Sequence, residues 1–151
     1  MRIAIATDHA GREIKLKVIE YLKQNNVEVL DLSIENTPTD DYPDFAFKVA
    51  DKVVNKQVDY GILICTTGIG ISIAANKVKG IRCANCHSIN DAKMTRIDNN
   101  SNILAFSSKL DFDLITDIIN TFINTEFSNE ERHIRRVNKI IKYENGEYNE
   151  L

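Results

Sequence analysis

Cys65 opens the stretch "CTTGIGIS" (65–72) directly after the apolar run "YGILI" (60–64), and Gly68 and Gly70 follow where a helix would start. A thiol in that position meets the positive end of a helix macrodipole and a cluster of backbone N–H groups, both of which stabilise a thiolate. Such a sulfur can act as nucleophile or as base, and free N–H groups around Gly68, Ile69 and Gly70 can hold an oxyanion or a phosphate. The same residues suit equally a small buried cysteine followed by a tight strand-to-helix turn that the glycines permit. A second polar pair, Asp8 and His9, ends the apolar run "RIAIAT" (2–7). Asp8 also reads as the N-cap of a helix beginning near Gly11, with His9 an ordinary surface residue. A third group, Arg132, His133, Arg135 and Arg136, has the composition of a solvated helix face. Within it Arg132 and Arg136, spaced i and i+4, share one side and could grip a phosphate together.

The elements that must position these residues alternate along the chain. Strand-like runs at 2–7, 27–32, 60–65, 81–86 and 102–107 each precede an amphipathic stretch, at 14–24, 45–54, 70–78, 88–98 and 114–124, and residues 129–143 read as a final helix. Five βα units of this kind predict an α/β fold, a three-layer α/β/α sandwich around a five-stranded parallel sheet of Rossmann-like, flavodoxin-like type, with a C-terminal helix. One domain, residues 1–143, is expected, followed by a loose tail at 144–151. In an open parallel sheet ligands sit beyond the carboxyl ends of the strands, where the strand order reverses. An order beginning 2-1-3 would bring the Asp8–His9 end of the first strand beside the Cys65 end of the third.

Bulk properties restrict what this site can serve. A chain of 151 residues with 43% hydrophobic and 27% charged residues fits one globular domain that needs no disulfide or metal to fold. A net charge of −3 gives no general attraction for nucleic acid or membrane lipid. No run approaches the roughly 20 apolar residues of a membrane span, and the first apolar run is too short for a secretory signal. Three cysteines, without a signal, point to a reducing cytoplasm. "CANCH" (83–87) has the spacing of a c-type haem attachment site, but it falls in an expected core strand, where alternating burial of Cys83 is the better reading. The glycines around residue 68 fit neither the dinucleotide fingerprint nor the phosphate loop, which disfavours a flavodoxin-like nucleotide or flavin module.

Four segments in order, "IAIATDHAG", "DYPDFAFKVA", "GILICTTGIGISIAANKVKGIRCA" and "RHIRRVNKI", resemble the ribose-5-phosphate isomerase B family, which includes the galactose-6-phosphate and allose-6-phosphate isomerases. The likeness covers residues 1 to about 143. It implies a cofactor-free and metal-free aldose–ketose isomerase of a sugar phosphate, a homodimer or dimer of dimers with sites shared between subunits. By this resemblance Cys65 removes the C2 proton to give a cis-enediol, Thr67 assists proton exchange between O1 and O2, and the amides of Gly68, Ile69 and Gly70 hold the enediolate. Asp8, His9, Tyr42, Thr66 and Asn99 contact the substrate, and Lys109, Arg132 and Arg136 bind its phosphate. Some members carry a glutamate base where Ile71 stands here, which leaves Cys65 as the base.

Three residues depart from the family pattern. Asp98 replaces the histidine credited with opening the furanose ring; a carboxylate can take the anomeric proton but is a poorer acid–base in both directions than an imidazole. His87 is another imidazole, although no spacing places it there. Thr66 replaces a glycine, which implies strain if that backbone requires a positive φ. Lys109 replaces an arginine, keeping the charge and losing the bidentate fork. Ribose 5-phosphate is the expected substrate. The alternatives are a hexose 6-phosphate, an open-chain tetrose phosphate, or a catalytically weakened sugar-phosphate-binding subunit.

Overall fold

The computed structural model describes residues 1–149. Five parallel strands, β1 (Arg2–Thr7), β2 (Glu28–Asp31), β3 (Tyr60–Cys65), β4 (Cys83–Asn85) and β5 (Ile103–Ser107), form one sheet in the order β2-β1-β3-β5-β4. The helices are α1 (Arg12–Gln24), α2 (Tyr42–Val54), α3 (Ile69–Ala75), α4 (Ile89–Asn99), α5 (Phe112–Asn124) and α6 (Glu131–Glu144). The order reverses between β1 and β3, so the condition for bringing the ends of these two strands together is met.

Strand alternation explains the layers. Ala4, Ala6, Leu63, Cys65, Ile103 and Ala105 face α2 and α3, joining Phe45, Val49, Val53 and Ile71 in one core. Ile3, Ile5, Ile62, Ile64, Leu104 and Phe106 point the other way, against Val18 and Leu22 of α1, Ala92 of α4, and Ile118 and Phe122 of α5. The central strands are therefore buried on both faces, which is why they read as unbroken apolar runs. Helix α6 packs on α4 and buries His133 and Val137.

Several boundaries move for identifiable reasons. Helix α2 begins at Tyr42 because Pro43 fits a first helical turn, where no intrahelical N–H bond is needed. Helix α4 starts on a Ser88 cap whose hydroxyl accepts the Asp91 N–H, and ends on Asn100 in the left-handed region at φ 48°. The expectation of a buried Cys83 holds in part. β4 pairs with β5 alone and is an edge strand, so Cys83 is only partly buried against the α2/α3 core, and Cys86, just past its end, is the fully buried thiol. Burial pushes the Cys86 thiol up to about 12 and that of Cys83 further, so both stay protonated. The tail is more ordered than expected at its start: Glu144 belongs to α6 and accepts the Gly80 N–H at 3.1 Å, and the Tyr148 ring packs on Tyr143. Glu150 and Leu151 lie outside the described residues.

Candidate active site

The register of β1 on β3 pairs Thr7 with Ile64, so Asp8 falls level with Cys65 on the adjacent strand, about 5 Å across the sheet. Asp8 continues the parity of Ala4 and Ala6, which puts it on the same face as Cys65. Two close approaches tie the strand ends together. Thr7 Oγ1 donates to the Ile64 carbonyl at 2.8 Å, and Gly11 lies so near that a Cβ there would meet Thr7 Oγ1 and come within 2.8 Å of Ile64 Cγ2. The two loops thus meet as the fold class requires.

Cys65, the last residue of β3, is 5% exposed and packs in the α2/α3 core, and the Gly68 N–H points at its sulfur with an N···S distance of 3.1 Å. That turn is possible because Gly68 has φ 75°, and a Cβ there would strike Asn85 Oδ1 and approach the Phe106 backbone to 2.9 Å. The Ile69 N–H bonds Thr67 Oγ1 at 3.2 Å. Of the three amides expected to be free, Gly68 and Ile69 are therefore engaged locally and Gly70 remains open. The Thr67 amide likewise has no acceptor among the described residues. Thr66, Thr67 and Ile69 are exposed, and Thr66 is absent from the positive-φ residues. No strain follows from the threonine that replaces the family glycine.

Tyr42 opens α2 directly over this loop. A Cβ on Gly70 would lie 2.8 to 3.1 Å from the Tyr42 ring and hydroxyl, so only glycine leaves room for the phenol. From the other side, β5 pairs Cys65 with Ser107, whose Oγ donates to the Thr66 carbonyl at 2.6 Å and accepts the Lys109 N–H at 3.0 Å. Lys109 is exposed beside the cysteine loop.

His9 is held by Asp40, in the loop between β2 and α2: the Asp40 carboxylate lies 2.8 Å from His9 Nδ1 and 3.0 Å from its backbone nitrogen. This bond raises the His9 pKa; partial desolvation opposes it, and the charges of Asp8 and Asp40 add to it. Burial raises the Asp8 pKa, against the Ala10 N–H and His9, which pull it down. Asp40, Asn85 and Ser107 are site neighbours that sequence reasoning missed. Each is a single polar residue in a loop or at a strand end, without periodicity or motif to mark it.

The remaining candidates lie at the other end of the sheet. Helix α4 runs back from the carboxyl end of β4, so Asp98 and Asn99 in its last turn sit where β4 and β5 begin; the Asn99 carbonyl accepts from Arg82, just before β4. The length of β5 separates them from Cys65 by about 15 Å. Arg132 and Arg136 are on α6, beside them. Arg132 pairs with Glu130 at 2.9 Å, and Arg136 has no partner among the described residues. The imidazole that meets Asp98 is His133, at 3.4 Å, whereas His87 stands at the carboxyl end of β4. One chain thus gathers Asp8, His9, Tyr42, Cys65, Thr66, Thr67, Gly68, Ile69, Gly70 and Lys109, and holds Asp98, Asn99, Arg132 and Arg136 apart.

Residues 3–140 match the Ribose/Galactose Isomerase family. The chain belongs to this family. Among Ribose/Galactose Isomerase relatives, a putative sugar phosphate isomerase, YwlF of Bacillus subtilis, is 46% identical over 95% of this chain and 97% of its own. The structure of Clostridium thermocellum ribose-5-phosphate isomerase B superposes with a TM-score of 0.93 at 44% identity, covering 97% of this chain and 99% of that one. Mycoplasma genitalium ribose-5-phosphate isomerase B, with bound ribulose-5-phosphate, gives 0.90 at 44% identity over 95% and 96%. Membership makes the chain a sugar-phosphate isomerase of the aldose–ketose type. No helix among the described residues is long and apolar enough to cross a membrane.

Proposed function

We propose that the enzyme interconverts ribose 5-phosphate and ribulose 5-phosphate with Cys65 as base, in a homodimer whose second copy completes each site. The observation that carries this reading is the placement of the Cys65 sulfur, level with Asp8 and beneath the Thr66–Gly70 loop, with an N–H 3.1 Å away to hold negative charge on it. The Cys65 thiolate takes the C2 proton of the open-chain aldose, and the electron pair moves through C1–C2 onto O1. The resulting enediolate is met by the open amides of Thr67 and Gly70. Thr67 Oγ1 moves the hydroxyl proton from O2 to O1, and the thiol, its proton open to exchange with solvent in the enediolate complex, delivers a proton to C1, so the cysteine ends as it began.

Distance supports a second copy: a sugar phosphate at Cys65 does not reach Asp98 or Arg136 of its own chain, about 15 Å away. Ile69 and Ile73, at 54% and 56% exposure on the outer side of α3, supply an apolar surface at the site that a second subunit would cover. The bound ribulose-5-phosphate of the Mycoplasma genitalium relative supports a pentose substrate. The test is turnover of ribose 5-phosphate by purified protein without added metal, with deuterium from solvent entering the ketose at C1. Cys65→Ala should abolish both, and a wild type inactive on every aldose and ketose phosphate of four to six carbons would overturn the reading. A carboxylate at position 98 favours one second reading, a substrate without a ring to open, such as a tetrose 4-phosphate; the same substrate panel decides it.

A further inference from the structure

His9 sits in a device that the proposed reaction leaves unused. Asp40 Oδ1 receives both the His9 backbone N–H at 3.0 Å and ring Nδ1 at 2.8 Å. Its other oxygen, Oδ2, accepts from Asn36 Nδ2 at 2.9 Å and from the Thr37 N–H at 3.2 Å. The same Asn36 amide donates to the Thr7 carbonyl at 2.9 Å, which locks the loop to the end of β1. An aspartate placed among so many donors is an acceptor: burial works to raise its pKa, but the bonds from Asn36, His9 and Thr37 outweigh this and leave it lowered. Nδ1 must therefore carry a hydrogen. The Asp40 side chain is 11% exposed and that of His9 49% exposed. Nε2 has no partner among the described residues.

Resting on the isomerase reading above, we infer that Asp40 is a positioning residue that fixes His9 with Nδ1–H turned inward, so that Nε2 meets an anionic oxygen of the substrate phosphate. With Nδ1 committed to Asp40, Nε2 donates only when the ring is an imidazolium. Among the described residues the charged groups that act on His9 are Asp8 and Asp40, both of which favour that charge; Lys109 and the arginines of a second copy would reach the same phosphate and act on wild type and variants alike. The charge is present at low pH and lost as pH rises through the raised His9 pKa, so phosphate affinity should fall over the same interval. The opposite assignment, a neutral Nε2 accepting from a sugar hydroxyl, predicts affinity rising with pH.

The experiment follows the titration of His9 by NMR of histidine-labelled protein, with the signal identified from His9→Asn, in wild type, Asp40→Asn and Asp40→Ala. In parallel, KM for ribose 5-phosphate and the inhibition constant of inorganic phosphate are measured from pH 5.5 to 8.5. Both variants should titrate at lower pH than wild type. Near neutral pH their KM should be about tenfold higher, the loss of one charge-assisted hydrogen bond, while at pH 5.5 the three proteins converge and kcat changes far less. Coincident His9 titrations, or a KM ratio that is the same at every pH, as a loosened loop would give, overturn the inference and leave the isomerase reading standing. A wild type that binds phosphate but turns over no sugar phosphate overturns the reading itself.

Discussion

Asp98 Oδ1 lies 3.4 Å from Nε2 of His133, and His133 Nδ1 in turn lies 2.7 Å from the Ser128 hydroxyl. His133 is 3% exposed and Asp98 is the half-exposed member, so the carboxylate faces solvent while the imidazole backs it. The contact with His133 orients the Asp98 carboxylate, which is the group placed to take the anomeric proton when the ring opens. Asp98→Asn should therefore lower kcat/KM for ribose 5-phosphate by about 100-fold, a typical contribution of one acid–base group, and Asp98→His should retain turnover. Steady-state assays of the two variants check it; an unaffected asparagine variant would remove position 98 from the chemistry.

The buried lysine on α1 bears on stability. Lys15, 1% exposed, pairs with Asp31 at 2.9 Å and donates to the Ser33 carbonyl at 2.5 Å, and Ser33 Oγ accepts the Thr7 N–H. Lys15→Met leaves Asp31 without its counter-ion and loosens the end of β1 that carries Asp8. A loss of about 3 kcal/mol is expected, the lower part of the range for a broken buried pair because Asp31 is partly exposed. Urea unfolding with an unchanged slope measures it.

How far the sequence carries depends on the kind of signal. β3, with its unbroken apolar run, is read at 60–65 and found at Tyr60–Cys65, because burial on both faces leaves no ambiguity of period. Strand order, the junction of Asp8 with Cys65 and the Gly68 turn follow from fold class and glycine spacing. β4 was harder: three residues on an edge carry too little pattern to say which cysteine is inside. The resemblance implies sites shared between subunits, but which residues one chain holds apart is not legible in a motif; the direction of α4 is what carries Asp98 to the opposite end of the sheet from Cys65. Asp40 and Ser107 act through single hydrogen bonds, which leave no periodic trace.

Gly68 combines a backbone and a packing requirement. Gly68→Ala forces a side chain into φ 75° and against the Phe106 backbone, and it moves the N–H that meets the Cys65 sulfur. A destabilisation of about 2 kcal/mol and loss of most turnover should accompany it. Thermal melts and kcat measured on the same preparation check both, and full activity in a destabilised variant would mean that the sulfur does not depend on this donor.

Asp8 sets stability against function. Its carboxyl is pushed up chiefly by burial, with Asp40 adding to the effect, and the Ala10 N–H and His9 offset part of it. A carboxyl whose pKa is higher folded than unfolded binds protons preferentially in the native state, so stability falls as pH rises from the ordinary value of 3.8 through the raised one. The deficit then persists at neutral pH. Asp8→Asn keeps a side-chain oxygen for the Ala10 N–H, which Asp8 accepts at 3.0 Å, and removes the buried charge. The variant should melt at higher temperature than wild type at pH 7, with the advantage shrinking as pH approaches 3.8. Its turnover should fall about tenfold or more, because the charge-assisted contact with the sugar is lost. Melting curves across this pH range, with activity assayed at pH 7, give the outcome. A gain that did not vary with pH would assign the stabilisation to packing and not to the ionisation of Asp8.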